Sequence, residues 1–463
     1  MSNLIIYILL ISILHSIVLF NNDLGINVLL LTIPIILVIV SALKNNNKIK
    51  NIWGLLFIVP IIVLSSSFLV YDNSFKYLNI LVLPILYIMM YIYTINPVYK
   101  LSNIIKNIFI LIFAPFSKIG NLYNIVKIKI DRNVKLSNNS KSKIKSFLIV
   151  LPIVLLVFLL LKSADMVFDQ MFFKSLKIFD YIKFDNIIGR IIRMIIFFTY
   201  FGCVINYISF AYKKDDNKET IPTNIDTYTI KLLLTILNIV YIVFDIIQVR
   251  SLLFHHLPEG ITYAEYARSG FFQLVFISIL NLIIILLSKR TKKSKYINIM
   301  SLLMILLTSV IIASSAIRMF MYEQAYGYTV LRLLVYVLLF TEALMLIPTV
   351  AYIINPKIKI MKQYIIIVTI IYSVINLISV DKIIAINNIS RYYRNNKIDI
   401  DYLENYNTDN IPYLYELYNN TNEIEIRTNL EEYFDIMKNE LKDMNIFEYN
   451  ISKNNAKTIL NKK

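Results

Sequence analysis

Runs of about twenty apolar residues recur along this chain, and no other feature restricts the possible folds so severely. They fall at about Leu4–Phe20, Leu24–Leu43, Ile52–Val70, Tyr77–Ile95, Ser146–Leu161, Ile191–Tyr212, Ile230–Val249, Phe271–Leu287, Ile297–Ile317, Val330–Ile354 and Tyr364–Val380. A helix of roughly 17–25 such residues crosses the hydrocarbon core of a bilayer. Only 17% of the residues are charged and 57% are hydrophobic, whereas a soluble domain carries about 25% charged residues. A soluble core has no room for that much apolar surface. The expected fold is therefore all-α: a polytopic transmembrane helical bundle of about 11 spans with a small C-terminal extracytoplasmic helical domain. No basic stretch precedes the first run and no small-residue cleavage signal follows it, so it reads as a retained span rather than a signal peptide.

The net charge of +17 raises the question of nucleic acid, and its distribution answers it. Residues 1–380 hold 36 Lys/Arg against 16 Asp/Glu, and residues 381–463 hold 11 against 14. The excess thus belongs to the apolar part, where it sets orientation and attracts anionic lipid at the cytoplasmic face; nucleic acid is not an expected partner. Lys44, Lys48 and Lys50, the connection from Pro97 to Lys145, the Lys213/Lys214 loop, the run "KRTKKSK" from Lys289, and Lys357–Lys362 all fall on alternate loops. By the positive-inside rule this is the cytoplasmic side, with the N-terminus inside and the C-terminus outside. Within the 97–145 connection, Asn103–Phe116 is too short to span and reads as an interfacial or re-entrant helix.

Three regions follow: 1–145, N-terminal spans with a basic cytoplasmic or interfacial segment; 146–380, a transmembrane core; and 381–463, an extracytoplasmic tail domain. The tail is rich in Asn, Tyr, Asp, Glu and Lys with spaced Ile and Leu, a pattern that predicts two to four short amphipathic helices.

Several chemistries are excluded outright. The eight glycines are nowhere closer than ten residues apart, so neither G-x-x-x-x-G-K-[ST] nor G-x-G-x-x-G occurs. Cys203 is the only cysteine, which rules out an internal disulfide and a cysteine zinc site. His15, His255 and His256 form no H-E-x-x-H motif, and no metal or cofactor is expected.

The second half carries a polar stripe through otherwise apolar runs. Asn238, Tyr241, Asp245 and Gln248 are spaced by three, four and three residues and share one helix face. Thr308, Ser315, Arg318 and Tyr322 do the same further on, and Arg332 and Glu342 share a sector of the next run. Ionisable groups at membrane depth are costly, so they face protein or water and find partners. The candidate site is accordingly Asp245, Glu265, Arg268, Arg318, Tyr322, Glu323, Arg332 and Glu342. Two readings stay open. The charges pair with one another as structural links, or they line an outward-facing polar cavity that takes a ligand. Arg318 and Glu323 lie about 140° apart on a continuous helix, which sends each to other elements: Glu265 or Asp245 for Arg318, and Arg332 or Arg268 for Glu323.

The stretches "LPEGITYAEYARSGFFQLVFISILNL", "YGYTVLRL", "LKSADMVFD" and "DKIIAINNISRYYRNNKIDIDYL" followed by "DNIPYLYEL" resemble bacterial membrane proteins of the DUF4153/DUF4173 type. The matching positions include Tyr263, Glu265, Tyr266, Arg268, Gly270, Phe271, Arg318, Tyr322, Tyr326, Gly327, Arg332, Asp381, Asn387 and Arg391, while Met166 stands where the family pattern has proline. The resemblance implies the architecture and no chemistry. The expected function is that of a non-enzymatic, multi-pass envelope protein of the cell membrane: a sensor, scaffold or transporter-like binder whose partner is an envelope protein or a small-molecule ligand. The alternative is a membrane enzyme acting on a lipid-linked or phosphorylated amphipathic substrate, with Glu265 or Asp245 as base and Arg268 or Arg318 on a phosphate.

Overall fold

The computed structural model describes residues 2–19, 22–45, 48–72, 74–95, 185–206, 227–253, 271–289, 291, 294–404 and 408–462. The 97–145 connection, the run Ser146–Leu161, the Lys213/Lys214 loop, His255, His256, Glu265 and Arg268 lie outside the described residues. Among those described there are helices and no strands. They are α1 (Ser2–Leu19), α2 (Ile26–Asn45), a 3-10 turn (Ile52–Phe57) leading into α3 (Ile58–Val70), α4 (Lys76–Ile95), α5 (Asp185–Asn206), α6 (Thr227–Leu253), α7 (Phe271–Ser288), α8 (Lys295–Tyr326), α9 (Val330–Ile354), α10 (Ile360–Ile375), α11 (Val380–Asn395), α12 (Ile400–Leu403), α13 (Ile411–Asn420), α14 (Ile424–Lys442) and α15 (Ile451–Leu460).

Five of these units are long and apolar enough to cross a membrane: Ile26–Asn45, Ile52–Val70, Lys76–Ile95, Lys295–Tyr326 and Val330–Ile354. A sixth is reached if α10 and α11, bent by 60° at their junction, count as one. The count of about eleven is thus not reached among the described residues. The run expected to end at Val380 stops as a helix at Ile375. Ser379 then caps a new helix by accepting from the Lys382 N–H, and an N-cap bond of this kind starts a helix on a new axis. The tail contributes α11 to α15, one helix more than the upper end of the expected number.

Three cores hold the chain. Ile8, Ile39, Leu43, Ile61, Leu64, Met90, Ile92 and Ile205 unite α1 to α5. Leu234, Leu282, Ile285, Met304, Ile311, Val335 and Leu339 unite α6 to α9. Leu403, Leu414, Leu430, Phe434 and Leu460 close the tail, with Val380 and Ile384 of α11 and Ile375 of α10. Each such side chain removed from water contributes roughly 1.5–3 kcal/mol in an aqueous reference, which applies to the tail. In the membrane-spanning cores close packing replaces that term, because lipid is as apolar as leucine.

Among the described residues, some of the basic groups and the tail contacts fall at different helix ends. At one end, the N–H groups of Lys50 and Asn51 both donate to Thr94 O at 3.0 Å. There too Lys362 lies 3.6 Å above the Trp53 ring, and Lys289 Nζ reaches Asn298 Oδ1 at 2.6 Å. At the other end, the α1–α2, α3–α4 and α8–α9 turns all meet the tail. Ile26 N–H donates to Tyr449 O at 2.9 Å, Ser74 N–H to Asp381 at 2.9 Å and Tyr328 N–H to Asn388 Oδ1 at 2.9 Å.

Candidate functional site

Helix α8 runs for 32 residues, about 48 Å at 1.5 Å per residue, and so outlasts the ~30 Å hydrocarbon core. Its last turns, from Ser315 onward, carry the charges. Arg318 and Glu323 are each only 6% exposed. Because they sit about 140° apart around the axis, α8 is covered on two sides there. Tyr328, Arg332 and Tyr336 all act electrostatically on the Glu323 carboxylate. Arg332 reaches back over the turn. Its guanidinium donates to Tyr326 O at 3.1 Å and to Gly327 O, and it lies 4.4 Å from the centre of the Tyr322 ring. A cation on the last carbonyls of a helix is favoured by the negative end of the helix dipole. Tyr322 in turn packs on Tyr326, with ring centres 5.0 Å apart.

The turn closes on Gly327, at φ +84° and ψ −176°, a conformation open essentially to glycine alone. A Cβ there would meet Asn388 Oδ1 at 2.6 Å and Arg391 Nη1 at 3.0 Å. Those two side chains clasp the turn. Asn388 accepts from Tyr328 N–H and donates to Tyr328 O, both at 2.9 Å, and Arg391 donates to Ala325 O at 2.7 Å. Asn387, a position the family resemblance singled out, instead donates to Ile383 O within its own helix. Its neighbour Asn388 carries the contact, and its place one residue further round α11 is the only signal the sequence held for it.

The other expected residues separate from this cluster. On α6, Asn238 donates to Met300 O at 2.9 Å. The Tyr241 hydroxyl donates to Asn281 Oδ1 at 2.8 Å, and Asn281 donates to Thr308 Oγ1 at 3.0 Å. This is the polar face predicted for Asn238 and Tyr241, and it links α6, α7 and α8. Asp245 is 6% exposed, and among the described residues neither of its buried carboxylate oxygens has a hydrogen-bond partner. It is therefore not the hydrogen-bonded partner nominated for Arg318. Glu342, 2% exposed, accepts from Ser278 Oγ of α7, while its Oε1 is buried with no hydrogen-bond partner. The described members of the candidate set thus fall into a charged turn, a hydrogen-bonded seam and a deep acid, while Glu265 and Arg268 lie outside the described residues.

Sequence reasoning named Asp381 only as a position of the family pattern and passed over Asp72 and Asp409, which dock the tail with it. Asp72 Oδ2 accepts from Thr408 N–H at 3.3 Å and from its Oγ1 at 3.1 Å, and Asp72 Oδ1 pairs with Lys76 at 3.2 Å. Asp409 accepts from the Asp72 N–H at 3.0 Å and from Ser379 Oγ. Asp381 accepts from both Ser74 N–H and Ser74 Oγ. Burial raises the Asp409 carboxyl above its ordinary value, against the hydrogen bonds from Ser379, Ser452 and Asp72 N–H. On the α1–α2 turn, Lys453 pairs with Asp23 at 2.9 Å. Gly25 there lies so close to the tail that a Cβ would fall 2.5 Å from Glu448 O. Apart from Asp72–Lys76 and the bonds of Asp409 with Ser379 and Ser452, these partners are more than three hundred positions apart in the chain, and no local pattern announces them.

Among the described residues no group of three or more His, Cys, Asp or Glu side chains is placed to hold a metal ion. Comparison with curated proteins and with solved structures returns no match. A family model described as a domain of unknown function, DUF4153, matches residues 32–417, from α2 to the end of α13 but for its last three residues. The chain is a helical, membrane-embedded member of the DUF4153 family.

Proposed function

We propose that this protein is a non-enzymatic, multi-pass sensor or ligand binder of the cell envelope, with its N-terminus in the cytoplasm and its tail outside. The observation that carries this reading is that one short turn serves two purposes. Residues 322–332 hold the charged cluster of Tyr322, Glu323 and Arg332, and the same turn is gripped by Asn388 and Arg391 of the tail. A ligand drawn to that cluster acts directly on the tail's attachment, and a partner bound to the tail acts on the cluster. The orientation is supported by Lys50, Lys289 and Lys362, which lie at helix ends opposite those that meet the tail.

A thermal-shift screen of the purified protein against lipids and small anionic metabolites, run in parallel on Arg318→Ala, tests the reading. A stabilising compound whose effect is lost in a normally folded Arg318→Ala protein supports it. Chemical conversion of that compound during incubation would replace the binder with an enzyme. Poor folding of Arg318→Ala that Glu265→Gln restores would make the arginine a structural partner. Asp245→Asn is not expected to rescue it.

A further inference from the structure

Between α4, α7, α9 and α10 lies a cavity of about 780 Å³, within the ~300–1,000 Å³ range of sites that hold small organic ligands. Its walls are almost wholly aliphatic, drawn from residues such as Leu86, Met89, Leu282, Leu286 and Met345. Ile85, Ile279, Ile283, Leu338 and Val368 also line it and are each more than a third exposed. The described helices therefore do not seal it on that side. Since those helices include membrane-crossing segments, the medium at the opening is hydrocarbon and not water.

One wall group does not belong in such a place. Glu342 stands at the thirteenth of the 25 positions of α9 and lines the cavity. Ser278 occupies one of its oxygens, while Oε1 is buried and unpartnered. The hydroxyls around it are already engaged: Thr341 with Val337 O, Tyr364 with Thr349, Tyr372 with Asn79 and Ser373 with Thr369 O. An unsatisfied buried acceptor carries a desolvation cost that a donor brought by a ligand would remove once the carboxyl turns toward the cavity.

We infer that this cavity is a lateral binding site for a bilayer-dissolved, long-chain lipid bearing a hydrogen-bond donor, a hydroxyl in the simplest case, which is held by Glu342 Oε1. The aliphatic walls take the chain and the acid selects the donor. A phospholipid seated in a leaflet keeps its headgroup at the surface, about 15 Å from the bilayer centre. A single-chain alcohol can place its hydroxyl at the depth of Glu342. The site is separate from the α8–α9 turn and does not rest on the function proposed for it.

The test uses protein in phosphatidylethanolamine/phosphatidylglycerol vesicles and two probes, a diazirine-bearing hexadecanol and the methyl ether of the same molecule. Both enter the bilayer, and only the alcohol donates. The alcohol is expected to photolabel peptides of α7, α9 and α10 about tenfold more than the ether, the ratio one hydrogen bond supplies. Glu342→Gln, which keeps an acceptor, should retain most of that preference, and Glu342→Leu should lose it. Leu338→Trp, which fills the cavity and leaves the acid in place, should block labelling by both probes while gel filtration still reports a monodisperse protein. Equal labelling by alcohol and ether, or an unchanged preference in Glu342→Leu, would overturn the inference. So would a quantitative disulfide between Ile283→Cys and a cysteine placed in 146–161, in a Cys203→Ser background, because the chain's own apolar run would then fill the cavity. If Glu342→Leu does not fold, Glu342→Gln and Leu338→Trp decide the matter.

Discussion

At Gly327 two demands fall on one residue, a positive φ of 84° and an Asn388 oxygen 2.6 Å from where a Cβ would stand. Relief of either one alone does not make room for a side chain. Gly327→Ala is expected to cost about 1–3 kcal/mol, the order of cost for a non-glycine residue forced into that region. The loss should appear as a lowered thermal midpoint and as faster hydrogen exchange at Tyr328, whose N–H is held by Asn388. Glu404 offers a second test at this scale. Burial, with Asp401 and Glu432 adding repulsion, raises its carboxyl from an ordinary 4.5 to about 7. Between those values the folded tail keeps a proton that the unfolded chain has released, so stability falls as pH rises through the window and is lowest above it. Because Glu404 is only half-buried, solvent screening keeps the effect small. Thermal midpoints measured from pH 4.5 to 8 should decline more steeply for the wild type than for Glu404→Gln, and the two curves should converge at the acid end. A wild-type curve no steeper than that of the variant would contradict the assignment.

The α3–α4 turn is the element that ties the two halves of the molecule together. Its residues Asp72 and Ser74 bond to Thr408, Asp409 and Asp381. Next to it, Asn79 of α4 bonds to Asn376 and Tyr372 beside the α10–α11 bend. Asp381→Ala leaves the Ser74 N–H and hydroxyl without their acceptor, a loss of about 1–3 kcal/mol. The spans should stay folded while the tail loosens, so limited proteolysis should cut between α11 and α15 sooner than in the wild type. Unchanged proteolysis, together with an unchanged thermal midpoint, would mean that the tail's core holds it in place without this acid. The 60° bend at residues 376–379 has the same origin. Asn376 and Ser379 are bonded to Tyr372 O and Asp409, and their side chains satisfy backbone and tail groups in place of a continued helix.

Among the described residues, Lys50, Lys289 and Lys362 lie at helix ends opposite those that meet the tail, which gives the topology a direct test. Reporter fusions after Lys293 should report the cytoplasm and fusions after Asn420 the exterior; the reverse pattern would invert every assignment of side made above. Much of this architecture was legible beforehand. Val330–Ile354 emerges as a helix with the bounds its apolar run predicted, because the apolar length a bilayer requires is a property of consecutive residues. The faces of α6 and α8 were legible for the same reason, since helical periodicity places Asn238 and Tyr241 together without reference to any neighbour. The amino-acid order alone thus carried the bounds of Val330–Ile354, the shared face of Asn238 and Tyr241, and the presence of ionisable groups among the apolar runs. Only the tertiary structure decided where those groups end up. Arg332 turns back onto the carbonyls of its own turn, Glu342 lines an aliphatic cavity, and Asp72 and Ser74 hold Asp409 and Asp381 of a tail more than three hundred residues away in sequence. The pairing of a polar group depends on which distant surface the folded chain brings within 3 Å of it, and no local periodicity contains that information.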